Sequence, residues 1–214
     1  MNLDQLRQGA MLLVPLILSL TVHEFAHAWS ASRLGDDTAE RMGRLTLNPF
    51  AHIDLFGTIL LPLLGIPFGW AKPVPIDPSR FRRSVKVSTG TMLTAGAGPL
   101  ANVALAFVCL LLLALGLRFA PELVGRHSPG AALLSMCVSL NVTLAVFNLI
   151  PVPPLDGSRV LEGLLPYRWR PGWERFAAFS PFLLIGVIFL GPRLIAGPSD
   201  LLLSLLFRLV NVIA

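Results

Sequence analysis

The sequence predicts an all-α membrane protein that crosses the bilayer about five or six times. Hydrophobic residues make up 54% of its 214 residues, charged residues make up only 14%, and the mean hydropathy is +0.72. A soluble domain would carry about 25% charged residues. Several apolar runs also approach the roughly 20 residues that a membrane-spanning helix needs. No long polar linker, internal repeat or low-complexity tract interrupts them, so a single membrane-embedded domain is predicted over residues 1–214.

The apolar segments differ in how well they fit a spanning helix. Three have the required length, namely residues 8–34, 87–120 and 130–150. The segment 55–70 is shorter and is broken by glycine and proline, which predicts a re-entrant or tilted element. The last two segments, 176–190 and 201–212, are separated by two Gly-Pro pairs and are predicted to be distinct.

The distribution of Lys and Arg predicts the orientation in the cell membrane. Residues 33–86 contain eight of them and residues 151–175 contain four, whereas the connection 120–130 between them contains only Arg126. Basic loops stay in the cytoplasm, which places the N-terminus outside. Basic residues in loops suit anionic lipid headgroups, whereas a nucleic-acid partner would need a continuous basic face and is not expected.

Residues 23–27 read His-Glu-Phe-Ala-His, an H-E-x-x-H motif. Positions i and i+4 share one face of a helix, so His23 and His27 can bind one zinc ion while Glu24 takes a proton from a water there. The alternative is a pair of histidines satisfied by ordinary hydrogen bonds. Each ionisable side chain in a membrane helix costs roughly 2–3 kcal/mol unless it is paired or hydrated, which favours the metal site. The eight residues from Phe25 to Arg33 place that site about 12 Å from the cytoplasmic end of the helix.

Catalytic zinc usually takes three protein ligands. The remaining candidates for the third are Glu40, His52, Asp54, His127 and Asp156. The connection that holds His127 is predicted to lie outside, Glu40 to be solvated, and His52 and Asp54 to cap or hydrogen-bond locally. Proline cannot continue the helix that precedes Asp156, so the chain turns there. This turn is predicted to lie at the same membrane face as the histidines. The alternative role of Asp156 is a helix N-cap.

These motifs together resemble the site-2 protease family of intramembrane zinc metalloproteases, in its compact bacterial or archaeal form. The resemblance covers about residues 8–165. It rests on the histidine motif, on Gly-Pro-Leu-Ala-Asn at 98–102 and on Asn-Leu-Ile-Pro-Val-Pro-Pro-Leu-Asp-Gly at 148–157. The PDZ-like insert and CBS-type tail of many family members are not visible in this sequence.

The resemblance implies that His23, His27 and Asp156 bind one zinc ion per chain and that Glu24 activates water. It further implies that Asn102 and Asn148 face the active site, where their amides would hold the substrate backbone or a developing oxyanion. Hydrogen bonds between helices are the alternative role of these two asparagines.

The family's substrates are typically single-pass transmembrane proteins. The resemblance also implies a small membrane-associated β element near residues 41–76, with an edge near 41–48 that pairs with an unwound substrate. The alternation in Arg44-Leu-Thr-Leu fits such an edge.

Two other functions would use the same residues. A zinc transporter or sensor would need the ligands but not the adjacent acid, and an inactive relative that binds membrane helices would be expected to have lost Glu24.

The thiols of Cys109 and Cys137 lie in apolar segments and are predicted to pack between helices. Both a monomer and a homo-oligomer remain open.

Overall fold

Apolar helices dominate the computed structural model, which describes residues 3–65, 69–125 and 128–213. Lipid offers the backbone no hydrogen bonds, and a continuous α-helix satisfies its own N–H and C=O groups. The long helices are α1 (Leu3–Leu34), α4 (Val87–Phe119), α6 (Pro129–Asn148) and α9 (Ser180–Ile213). The short ones are α2 (Thr38–Arg41), α3 (Leu61–Leu63), α5 (Pro121–Val124), α7 (Asp156–Leu164) and α8 (Arg170–Ala177).

Four helices in the described part of the chain are long and apolar enough to cross a membrane. They are Gly9–Leu34 in α1, Val87–Phe119, Pro129–Asn148 and Phe189–Asn211 in α9. The predicted count of five or six segments is therefore not confirmed. The two predicted C-terminal segments form one helix, with Pro192 and Pro198 inside it. Proline is tolerated within membrane helices when the freed backbone groups are satisfied locally, so the Gly-Pro pairs do not end this helix.

The predicted re-entrant element is a short wedge against α1. A π-helical turn, Leu55–Leu60, continues into α3 and ends in a turn at Gly65, where φ is +78°. Contact with α1 is close, since a Cβ added at Gly9 would lie 2.4 Å from the carbonyl oxygen of Pro62. Residues 66–68 of the predicted element lie outside the described residues.

The predicted β element near residues 41–76, with its edge near 41–48, is not confirmed. No strand occurs among the described residues of that region. Residues 72–78, here called the proline segment, contain three prolines, which lack the N–H that a strand ladder requires. Other groups hold it instead: the Arg44 guanidinium donates to the carbonyl oxygen of Lys72 at 2.6 Å, and the Lys72 N–H donates to the carbonyl of His52 at 2.9 Å.

Helix α4 lies at the centre of the bundle and packs against α1, α6 and α7. A buried apolar cluster joins α4, α6 and α9 and includes Ala106, Val142 and Val210. Cys109 and Cys137 belong to the same cluster as free, buried thiols, in agreement with their predicted packing role. Fully buried alanines in α4 and α6 let the backbones approach closely, as is typical between membrane helices.

Candidate metal centre and active site

The two histidines of the H-E-x-x-H motif lie one turn apart on the buried face of α1. Their side chains are almost inaccessible, and the Nε2 atoms of His23 and His27 are 3.0 Å apart. The rings meet edge to face, with centroids 4.6 Å apart. The helical spacing therefore brings both nitrogens to one point, as the sequence predicts.

Asp156 reaches the same point from the other end of the sequence. Helix α6 ends at Asn148, a turn rich in proline follows, and Asp156 is the first residue of α7. Leu155 occupies the N-cap position, so Asp156 is not the cap that the sequence left as an alternative. Its Oδ2 lies 3.1 Å from Nε2 of His23 and 3.4 Å from Nε2 of His27.

Glycine permits the tight turn that delivers Asp156. A Cβ added at Gly157 would lie 2.2 Å from the carbonyl oxygen of Leu149, which is backbone and cannot move aside easily. The Ser158 hydroxyl donates to the carbonyl of Leu155 at 2.6 Å and closes the first turn of α7. The absence of a side chain at position 157 therefore permits the turn that places the Asp156 carboxylate beside the histidines.

The remaining hydrogen bonds of the histidines define their tautomers. Nδ1 of His27 is 2.7 Å from the carbonyl oxygen of Thr94, which can only accept. Nδ1 of His23 is 2.6 Å from Oδ1 of Asn102, whose amide nitrogen is engaged elsewhere. Both rings therefore carry a proton on Nδ1 and present a lone pair on Nε2. Outer hydrogen bonds of this kind orient metal-binding imidazoles in proteins.

Three acceptors consequently converge on one buried point. The candidate ligand atoms of His23, His27 and Asp156 all lie within 4.8 Å of one another. The Asp156 oxygen Oδ2 is buried and accepts no hydrogen bond from any described residue.

A bound cation would stabilise three acceptor atoms that lie this close together. Two imidazole lone pairs and a carboxylate match the nitrogen and oxygen ligands of catalytic zinc. Ligand atoms about 2.1 Å from a tetrahedral zinc lie roughly 3.4 Å apart, close to the separations of 3.0, 3.1 and 3.4 Å observed here. The residues present therefore fit zinc.

Gly98 of α4 leaves the space in which the histidines meet. A Cβ added there would lie 2.4 Å from Nε2 of His27 and 2.7 Å from Cε1 of His23. Even an alanine would collide with the candidate ligand atom of His27. The absence of a side chain at position 98 is thus a requirement of the site.

Glu24 lies beside the histidines but has a different partner. Its Oε2 accepts a hydrogen bond of 2.8 Å from the backbone N–H of Val74 in the proline segment. Val74 stands between two prolines, so its N–H is the only donor that residues 73–75 possess. The cluster that can hold a metal does not include Glu24, which leaves this carboxylate available for proton transfer.

Asn102 is fully buried and both ends of its amide are engaged. Besides the bond between its Oδ1 and His23, its Nδ2 donates to Oδ1 of Asn141 at 2.7 Å and to the carbonyl of Ser19 at 3.2 Å. Asn141 in turn donates to the Ser19 hydroxyl at 2.8 Å. This geometry favours a role for Asn102 in positioning His23.

Asn141 and Ser19 were missed at the sequence level. Both are fully buried, and both lie within candidate membrane spans. A polar residue inside an apolar segment is expensive unless it has partners. That cost was the available signal, although it does not say which polar residues meet.

The other predicted residues do not join the metal cluster. Asn148 donates from Nδ2 to the carbonyl of Leu144 in its own helix, and its active-site role stays a prediction. His52 is buried, with Nε2 2.8 Å from the carbonyl of Thr46, and Asp54 accepts from two backbone N–H groups of the following turn. Glu40 is exposed. His127 lies outside the described residues.

Comparisons with known proteins agree with this site. The model of peptidase family M50 matches residues 126–190, which include Asp156. The chain is 41% identical to "Putative zinc metalloprotease YwhC" of Bacillus subtilis over 182 residues, covering 85% of this chain and 80% of that protein. It is 36% identical to "Putative zinc metalloprotease Rip2" of Mycobacterium tuberculosis over 187 residues, covering 83% of this chain and 66% of that protein. No solved structure matches.

A multi-pass membrane protein with a buried His-His-Asp site for zinc is the class that the fold and the site define. The chain belongs to peptidase family M50, the site-2 protease family of zinc metalloproteases.

Proposed function

We propose that the protein is an intramembrane zinc metalloendopeptidase that hydrolyses peptide bonds of single-pass transmembrane proteins. The observation that carries the proposal is the convergence of His23, His27 and Asp156 on one buried point, with a second carboxylate held beside it. A transport or storage site would need the three ligands but not the separately held Glu24. One zinc ion per chain is expected.

The proposed chemistry divides between the ligands and Glu24. His23, His27 and Asp156 would hold the metal, and zinc, when bound, supplies Lewis acidity toward water and toward a peptide carbonyl. Glu24 would act as general base, taking a proton from the attacking water and passing it to the leaving amine. The N–H of Val74 fixes one carboxylate oxygen, so the other oxygen is the one that would carry the proton.

The depth of the site favours a substrate within the bilayer. His27 lies seven residues before the end of α1 at Leu34, which corresponds to about 10 Å along the helix axis. The two histidine ligands therefore sit inside the candidate span Gly9–Leu34 rather than in a connecting loop, and Asp156 reaches them from α7. A soluble substrate would have to enter the hydrocarbon layer to reach them, whereas a transmembrane helix is already there.

The scissile bond must be presented in an unwound segment. A peptide carbonyl in a stable helix is hydrogen-bonded to its own turn, and opening that turn in lipid leaves polar groups unsatisfied. The proline segment can offer partners, because the carbonyl of Val74 and the N–H of Ile76 have no hydrogen-bond partner among the described residues. We assign the docking of the substrate main chain to this segment, in place of an edge at 41–48.

Glu24→Gln tests the proposed reaction. Removing the general base should lower cleavage by roughly 10²–10⁴-fold while zinc content stays near that of the wild type, because Glu24 is not in the metal cluster. The measurement is cleavage of a reconstituted single-pass substrate in proteoliposomes, with bound metal determined by elemental analysis.

The matched control is Glu40→Gln, which removes an exposed carboxylate from α2 and should cleave normally. Wild-type rates for Glu24→Gln would contradict the proposed reaction, and zinc flux without any cleavage would indicate a transporter. In the same assay, substrates with Gly or Pro near the scissile bond should be cut faster than versions with Leu there. Equal rates would exclude the need for an unwound substrate.

We propose that the active site faces the cytoplasm and that the N-terminus lies outside. The basic residues before α4 and those after α6 flank a connection poor in Lys and Arg, which supports this orientation. A cysteine at Arg82 should react with an impermeant thiol reagent only from the cytoplasm, and a cysteine at Glu122 only from outside. Both native cysteines are buried, so their background should be low. The reverse pattern would invert the proposed topology.

A further inference from the structure

A polar cavity lies where α4 begins, beside α7 and α8. Its volume is about 310 Å³, and none of the candidate metal ligands lines it. The polar and charged residues in its wall are Ser88, Thr91, Arg159, Glu162 and Arg170. The metal centre explains none of these residues, so the cavity needs an explanation of its own.

The cavity has an excess of positive charge. The lining includes two arginines, Arg159 and Arg170, and one carboxylate, that of Glu162, so its formal charge is +1. Neither Arg159 nor Arg170 forms an ion pair within the described part of the chain. Nε of Arg170 is buried and donates to no acceptor there. A buried donor without an acceptor is costly, so an anionic ligand would stabilise this wall.

The beginning of α4 adds further donors. Lys86 at the N-cap position provides no side-chain cap to a helix of 33 residues. The first N–H groups of such a helix are therefore available, and the helix dipole favours an anion at this end. The hydroxyls of Ser88 and Thr91 lie three residues apart and thus on one face of the helix. Guanidinium, hydroxyl and helix-terminal donors together are typical of phosphate recognition.

The surroundings of the cavity are those of a membrane interface. It lies at the end of the candidate span Val87–Phe119. Beside it, Tyr167 is 85% exposed and Trp169 is 60% exposed, and the Arg170 guanidinium stands 5.9 Å from the Tyr167 ring centroid. Exposed aromatic residues beside basic residues are characteristic of the headgroup layer. Basic pockets at this depth bind lipid headgroups.

We infer that this cavity binds a phosphate oxyanion, carried by the headgroup of an anionic phospholipid. A phosphodiester has one negative charge and matches the +1 lining. Free inorganic phosphate has the same oxygen chemistry and is the alternative source. The site is independent of the zinc centre and of the proposed peptidase activity.

Retention of lipid by the full-length protein tests the inference. Wild-type protein is reconstituted into vesicles of equal parts phosphatidylcholine and phosphatidylglycerol and re-extracted in detergent. The bound phosphatidylglycerol is then quantified by mass spectrometry. The double variant Arg159→Gln with Arg170→Gln should bind roughly 25-fold more weakly, because each basic residue near an anionic surface contributes roughly fivefold.

The matched control is Arg168→Gln with Arg175→Gln. These arginines are exposed on or beside α8 and do not line the cavity, and the net charge changes by the same amount as in the test variant. Retention by the wild type and this control, with loss in the test variant, supports the site. Equal retention by the two double variants would overturn it.

A second pair of variants covers the case in which the arginine variant does not fold. Thr91→Glu places a negative charge in the cavity and should abolish retention, whereas Thr89→Glu places it on the exposed side of the same turn and should not. If both retain the lipid, the inference fails. Adding inorganic phosphate distinguishes the two sources. If the protein binds phosphate but retains no lipid, the cavity is an oxyanion site whose ligand is not the phospholipid.

Discussion

Helices α1 and α9 are similar in length, and both contain proline, yet they use their apolar sequence differently. In α1, 44% of an apolar 18-residue stretch of the candidate span is buried, and the buried face carries polar groups, including His23, Glu24 and His27. In α9 the corresponding share is only 11%, and its most deeply buried large side chains, Leu206 and Val210, are apolar. The polar side chains of α1 are thus surrounded by other parts of the protein, whereas most of α9 lies on the outer surface of the bundle.

The difference shows where a membrane helix can keep polar side chains. His23, Glu24 and His27 of α1 each have a partner on another element: Asn102 and the Thr94 carbonyl on α4 for the histidines, and Val74 for Glu24. The Ser204 hydroxyl of α9, by contrast, donates to the carbonyl of Leu201 in its own helix and has no other partner in the described part of the chain. Partners from other elements therefore separate a functional helix from a structural one, more than hydropathy does.

The largest expected effect comes from filling the gap between α1 and α4. Gly98→Ala places a Cβ 2.4 Å from Nε2 of His27, so the two helices must separate or the ring must turn. Zinc affinity should fall by more than about 100-fold, the upper end of the effect of losing one outer-shell partner. Titration with a competing chelator measures it. Gly197→Ala in α9, where nothing lies within 4 Å, should bind zinc normally. Normal binding by both variants would show that Gly98 is not a packing requirement.

A smaller effect is expected from the polar network behind His23. Asn102→Ala should lower zinc affinity about 10- to 100-fold, since Nδ1 of His23 loses its acceptor. Asn141→Ala, one step further away, should change it less. Ser204→Ala in α9 is the control and should have no effect. A fall in kcat at unchanged zinc affinity would instead assign Asn102 to the substrate or the oxyanion, as the family resemblance implies.

The smallest expected effect concerns apolar packing. Val142→Ala removes atoms from the buried α4–α6–α9 cluster and should destabilise the protein by about 1 kcal/mol. Leu201→Ala removes more atoms, but from a side chain that is 62% exposed on α9, and should cost less. Unfolding in mixed micelles by denaturant compares the two. A larger loss for Leu201→Ala would mean that the outer face of α9 is covered by protein, which would favour a homo-oligomer.

Much of the site could be predicted because its parts are local in sequence. The spacing of His23 and His27 fixes a common helical face, and the cost of ionisable residues in an apolar helix singles them out. The choice of Asp156 as third ligand rested on its turn and membrane side, and the structure brings it to the two histidines. The β element near 41–76 was not confirmed, since proline removes ladder donors and hydrogen bonds to Arg44 and His52 hold the segment instead.

By itself, the sequence determined that this protein is a multi-pass membrane helix bundle with a paired-histidine motif, because hydropathy and the 3.6-residue repeat are local properties. Only the tertiary structure decided that Asp156 points at the histidines, that Gly98 leaves room for them and that Val74 holds Glu24. It also decided that Asn102 and Asn141 form one network with Ser19, and that two C-terminal segments are one helix. Each of these depends on contacts between residues far apart in the chain, and helix packing sets such distances where no local pattern can.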